Sequence, residues 1–147
     1  MKRLARRRQG GSTIVEFALV LLLFFTFLLA IVDFGRMLFT WNAATEATRA
    51  GARYAVVCDN TGSATAVLAR MQSLLPEITT IDVAWTPAGC NSTDCEGVTV
   101  SVQNLNYRWI SPVLGLAAFT DLPMPTFRTY LTREVMRTDP NSDAICP

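Results

Sequence analysis

Apolar residues are unevenly spread along this chain. From Ile14 to Val32 the sequence reads IVEFALVLLLFFTFLLAIV, nineteen positions broken by one charge, Glu16. A helix needs about 20 apolar residues to cross a bilayer, and it can do so because it satisfies its own backbone hydrogen bonds. The run therefore predicts a single transmembrane helix. Asp33 and Arg36 close it, and Trp41 follows as an interfacial anchor. The helical spacing continues past this point. No proline occurs between Asp33 and Val57, and Ala43, Ala44, Ala47, Ala50, Gly51 and Ala55 recur at helical intervals. One helix from Ile14 to about Val57 would be about 66 Å long, with Gly35 as the expected bend. The small residues Ala44, Ala47 and Gly51 form a packing face that lets another surface approach closely. That surface is either a neighbouring subunit or the chain's own globular part, and both can hold along different lengths of the helix. Glu46, Arg49 and Arg53 mark a solvated face with weak pairs.

Past Val57 the pattern changes. Cys58-Asp59-Asn60-Thr61-Gly62 breaks the helix, and Thr61 or Ser63 can cap a second one running to about Leu75, where Pro76 stops it. Ile78–Trp85 and Val98–Leu105 are rich in β-branched residues and partly alternate, with TPAGCNSTDCEG as a hairpin connection. A proline-bearing connector from Ser111 to Pro125 holds the apolar VLGLAAF, as a short helix or a loop. A third strand is expected over about Phe127 to Met136, and TDPNSDAICP reads as a loop. The expected fold is α+β: a long N-terminal transmembrane helix continuing into a stalk, a second helix and a small three-stranded antiparallel sheet. The divisions are a basic leader over residues 1–11, the transmembrane and stalk helix over 12–57, and a head over 58–147.

Charge adds orientation. The net charge of +1 gives no reason to expect a nucleic-acid partner. Its distribution says more: Lys2, Arg3, Arg6, Arg7 and Arg8 crowd the start with no acid among them. By the positive-inside rule that end stays in the cytoplasm and everything after Asp33 lies outside. A cleaved secretory signal is the rival, but its apolar core runs about 7–15 residues before a small-x-small site. Here the run is longer, and the first Ala-x-Ala, Ala50-Gly51-Ala52, lies far beyond it.

Glu16 is the informative polar residue. A carboxylate at the centre of a membrane helix costs about 2.5–3.5 kcal/mol on insertion scales, although near the cytoplasmic end it can reach the headgroups. Gly10-Gly11 precede Ser12, and Glu16 lies four residues after Ser12, on the same helix face. Cleavage after Gly11 would give Ser12 a free amine, and Glu16 could neutralise that ammonium or a neighbour's. In a helix assembly such a pair sets axial register, as a buried polar residue does in a coiled coil.

A basic leader, GGSTIVEF, the long apolar run, and then the small-residue stretch Gly51-Ala52-Arg53-Tyr54-Ala55 together resemble the TadE-like family, minor pilins or pseudopilins of the tight-adherence (Flp) type IV pilus. The resemblance covers Gly10 to Val57 well and the rest loosely. It implies cutting between Gly11 and Ser12 by a prepilin peptidase in a bacterial cell membrane, with Glu16 as the register residue. The implied partners are the membrane, other pilin or pseudopilin subunits and the assembly machinery. Gly10-Gly11 suits the cut, because glycines let the backbone be extended and unhindered at little cost.

Candidate chemistry is sparse. Histidine is absent, which removes the commonest general base and metal ligand, and the only lysine is Lys2. No phosphate-binding glycine loop occurs, and the scattered acids form no calcium or acid–base pattern. The reading is therefore not an enzyme, with no cofactor and no metal. Four cysteines, Cys58, Cys90, Cys95 and Cys146, all follow the membrane run and so fall in the oxidising compartment. They allow three pairings. Cys90 and Cys95 could staple a tight loop, which would leave Cys58 to tie Cys146 to the end of the long helix. Zinc is disfavoured without histidine or a Cys-x-x-Cys pair. Asn91-Ser92-Thr93 matches a glycosylation sequon, which matters only in a eukaryotic secretory route, and the prepilin-like leader argues for a prokaryote, so the match reads as chance. Two function classes remain beside one another: a structural pilus subunit, and an uncleaved membrane-anchored binding module that never polymerises. An exported enzyme stands third.

Overall fold

The computed structural model describes residues 11–58, 64–91, 94–111, 121–133 and 146. The arginine-rich leader with Gly10, the Thr61 or Ser63 cap, the glycosylation triplet beyond Asn91, the VLGLAAF segment, the far end of the third strand and most of the C-terminal tail lie outside the described residues.

Helix α1 runs without interruption from Ser12 to Val57, 46 residues, continuing through Gly35. From Ser12 to Val32 it is exposed apart from the half-buried Thr26 and Leu29, and its first buried residue is Asp33. From there on one face turns inward, through Thr40, Ala44, Ala47, Thr48, Gly51, Ala52, Ala55 and Val56. Helix α2, Ala64–Gln72, packs back against it through Val67 and Met71. The close approach needs a glycine. A Cβ at Gly51 would lie 2.7 Å from Met71 Sδ and 3.3 Å from Val67 Cγ1. Helix α2 stops before Pro76, and the Gln72 side-chain amide donates to the Ile78 carbonyl at 2.9 Å, which holds the turn into the sheet.

Strands β1 (Thr80–Thr86), β2 (Gly97–Gln103) and β5 (Phe127–Thr132) form an antiparallel sheet in the order β1-β2-β5. The register sets Val83 opposite Val100 and Thr129 opposite Val100 on the other side, and likewise Ile81 and Phe127 flank Val102. With side chains alternating between faces, the inner face is Ile81, Val83, Trp85, Val98, Val100, Val102, Phe127, Thr129 and Leu131. The three β2 valines are almost wholly buried, and each contributes about 1.5–3 kcal/mol by leaving water. The polar exception is paired. The Thr48 hydroxyl donates to the Thr45 carbonyl at 2.8 Å and meets the Thr129 hydroxyl at 2.9 Å, so Thr129 is the donor in that contact. On the opposite side of the sheet the Tyr130 ring lies over Gly97, where a Cβ would stand 2.5 Å from its hydroxyl oxygen.

A second, two-stranded ribbon was not expected from the sequence. Strand β2 ends at Gln103, two residues before the expected end at Leu105, because Asn104 takes a left-handed conformation at φ 56°. Strands β3 (Asn106–Arg108) and β4 (Asp121–Pro123) then pair antiparallel. The Met124 amide donates to the Leu105 carbonyl at 2.8 Å, which ties the ribbon to the main sheet. The layout is α+β: a long apolar helix, a second helix, a three-stranded sheet and a two-stranded one.

Candidate functional site

Three features of α1 could carry function: its N-terminal turn, its exposed apolar length and its inner face. Gly11 precedes the helix, exposed, with open space around its α-carbon and no side-chain cap on the helix start. Ser12 and Glu16 are also exposed. Glu16 forms no ion pair among the described residues, in contrast to Arg36–Asp33 and Arg49–Glu46 on the same helix. A carboxylate thus stands at the head of an apolar helix with no partner from its own described chain. Behind it the large apolar side chains are bare, Phe17 67% exposed and Phe27 72%. The 18-residue stretch most suited to a membrane has none of its residues buried by the rest of the chain.

The small-residue face has a different environment. Ala44 and Ala47 are fully buried and Gly51 is buried, all against the head of the same chain. In the single chain this face is therefore occupied over Ala44–Gly51, and the bare surface is the apolar length below it. Trp41 is turned partly inward, its ring meeting Phe127 edge-on at 5.0 Å.

In the sequence Asp33 marks only the end of the apolar run; in the fold it is a buried anchor. It is 1% exposed. The Ile110 N–H donates to its Oδ1 at 3.1 Å and the Ser111 N–H to its Oδ2 at 2.8 Å. The Tyr107 hydroxyl donates to its backbone carbonyl at 2.9 Å. Arg36, one turn on, lies 3.8 Å from Oδ1 and 5.8 Å from the Tyr107 ring centre. Strand β3 puts Tyr107 on its buried face, and the chain then curls so that two successive amides point at one carboxylate. Charge-assisted bonds of this kind are the stronger ones. Burial pushes the Tyr107 phenol above its ordinary value, helped by Asp33 and Glu77 and opposed by Arg36. Asp33 thereby clamps the head to the helix where the apolar length ends. The available signal was that an acid flush against a membrane run requires a partner.

The cysteines pair as Cys58–Cys146 and Cys90–Cys95, with Cα separations of 5.3 and 5.1 Å. The first ties the C-terminal segment to the end of α1, and the second closes the β1–β2 connection. Among the described residues no cluster of three or more cysteines and acids could hold a metal ion. A crevice of about 500 Å³ opens beside the clamp, between Val32–Thr40 of α1 and the Leu74–Glu77 turn.

Residues 11–53 match the family model described as TadE-like protein. No curated protein and no solved structure shows significant similarity to the chain. The match begins at Gly11, at the start of α1, and ends within the part of the helix that the head covers.

Proposed function

From the premise that its N-terminal third is TadE-like and its exposed apolar helix fits membrane anchoring, we propose that this chain is a pilin-like structural subunit of a tight-adherence pilus. In this reading the leader stays in the cytoplasm, a prepilin peptidase cuts between Gly11 and Ser12, and the head stands outside. The observation that carries it is Glu16, an exposed carboxylate without an ion-pair partner in the described chain, four residues from Ser12 on an apolar helix. Within lipid such a group must find a counter-charge. A new ammonium on Ser12, of this subunit or of the next, supplies one on the same helix face. The bare apolar length of α1 is then the surface through which subunits pack, first in the bilayer and later in a pilus or pseudopilus. The inner face at Ala44, Ala47 and Gly51 holds the head upright on the helix.

The test is the N-terminus of the protein isolated from native membranes, measured by mass spectrometry of the intact chain and its first peptide. A chain beginning at Ser12 is expected. A chain that retains the arginine leader would overturn the cleavage and leave a permanent membrane anchor.

A further inference from the structure

The helix serves as a ruler for the position of the head. From Ile14 to Val32 it rises about 28 Å at 1.5 Å per residue, against a hydrocarbon thickness of about 30 Å. If this length spans the bilayer, Asp33 lies at the outer boundary. The head is attached at that level. Ile110 lies within one hydrogen bond of the Asp33 carboxylate, 3.1 Å from nitrogen to oxygen, and the residue is 61% exposed. The Leu74–Glu77 turn reaches the same level from another part of the head. It faces Val32, Gly35, Arg36 and Phe39 across the crevice, with Leu74 50% exposed. Two described segments from separate parts of the head thus lie beside the helix exit, and each offers a large apolar side chain to the outside. The helix itself stays apolar on its outer side there, through Phe34, Leu38 and Phe39. The charge at Asp33, which would otherwise oppose entry into lipid, is enclosed by two amides and Arg36.

We infer that the lower edge of the head, Ile110 together with Leu74, is seated in the outer interface of the lipid bilayer, so that the unassembled subunit rests on the membrane. The inference rests on the membrane-spanning reading of α1 and adds the position of the head. The occupant is lipid because the exposed apolar edge is continuous with the lipid-facing surface of the helix. Arg36, with its side chain 45% exposed at this level, is placed to meet lipid phosphates. The upper part of the head makes the contrast. Thr129 touches Thr48, fifteen residues further along α1, so its neighbour Tyr130, 52% exposed, stands about 22 Å above Asp33.

The experiment uses the full chain at one copy per lipid nanodisc of phosphatidylcholine and phosphatidylglycerol. A single spin label is placed in turn at Phe24→Cys, Leu74→Cys, Ile110→Cys and Tyr130→Cys. The native cysteines are all paired and do not compete for label. Collision with oxygen, which concentrates in lipid, is compared with collision with a water-soluble nickel chelate. The oxygen-to-nickel ratio at Ile110 and Leu74 is expected to be several-fold higher than at Tyr130 and below that at Phe24. A ratio at both positions equal to that at Tyr130, with Phe24 in lipid, would overturn the inference and hold the head clear of the bilayer. Shielding of Ile110 and Leu74 from both reagents would also overturn it, in favour of a protein neighbour. Nickel access at Phe24 would instead overturn the membrane reading.

Discussion

The Asp33 carboxylate accepts the Ser111 amide at 2.8 Å across 78 residues of sequence, and the neighbouring Ile110 amide at 3.1 Å. One side chain at the end of the apolar helix thus fixes the lower edge of the head. Asp33→Ala leaves two amides without their acceptor, at a cost on the order of 1–3 kcal/mol each. The expected result is faster hydrogen exchange at Ile110 and Ser111, while the amides of β2 keep their protection. Unchanged exchange at both would show that the clamp does not hold that edge.

Tyr107 gives the same edge a pH dependence. Its phenol is raised mainly by burial, so the neutral form is favoured in the folded state. The sign follows from linkage: stability from this group is full below the unfolded value, about 10, and is lost as the pH rises through the folded one. The melting temperature is expected to fall above about pH 10, and Tyr107→Phe should flatten part of that fall. At neutral pH the same variant loses one hydrogen bond to the Asp33 carbonyl, about 1 kcal/mol. Equal slopes for the two proteins in alkaline melts would remove Tyr107 as the cause.

Legibility in the sequence follows the length of each pattern. The helix over Ser12–Val57 and the three main strands stand out because their periods repeat over many residues. The β3–β4 ribbon does not, because strands of three residues are shorter than any alternation that could announce them. The face of Ala44, Ala47 and Gly51 could be read as a packing face, but small residues carry no mark of what covers them. Asp33 was hidden for a deeper reason. Its partners are backbone amides, which every residue but proline possesses, so no residue type at positions 110 and 111 points back to it. The Ser12–Glu16 spacing, by contrast, can be read directly, because both residues lie within five positions of one helix.

Gly51 and Met71 define the closest approach of the two helices. Gly51→Ala gains up to about 1 kcal/mol of helix propensity, but its methyl would lie only 2.7 Å from Met71 Sδ. Crowding of a filled core costs about 1–3 kcal/mol, so the net effect is expected to be destabilising. Met71→Ala alone opens a cavity at about 2–5 kcal/mol. The double variant is expected to cost less than the two together, since the new methyl enters the space that Met71 left. Chemical denaturation of the four proteins closes the cycle, and simple additivity would place the contact elsewhere.

The two disulfides constrain very different loops, with sequence separations of 88 and 5. On chain-entropy grounds the long closure stabilises by about 4–5 kcal/mol and the short one by about 2 kcal/mol. Cys58→Ser with Cys146→Ser should therefore lower the thermal midpoint clearly more than Cys90→Ser with Cys95→Ser. Equal midpoints would mean that the long bond is offset by strain or that the unfolded chain retains structure.

Glu16 tests the assembly reading itself. On the proposed function its carboxylate meets an ammonium at Ser12 after cleavage, in surroundings that exclude water. A charge-assisted contact of this kind contributes about 1.5–3 kcal/mol, or roughly tenfold to a hundredfold in association. Glu16 touches nothing in the head, which is attached from Asp33 onward, so Glu16→Ala should leave folding and both disulfides intact. Membrane insertion should also persist, because removing a charge makes the helix easier to insert. The expected outcome is a subunit found at normal levels in the membrane fraction but depleted from sheared pili. Glu16→Asp, which keeps the charge on a shorter stem, should recover incorporation in part. Full incorporation of the alanine variant would show that register is set by packing along the apolar helix, with the charge playing no part.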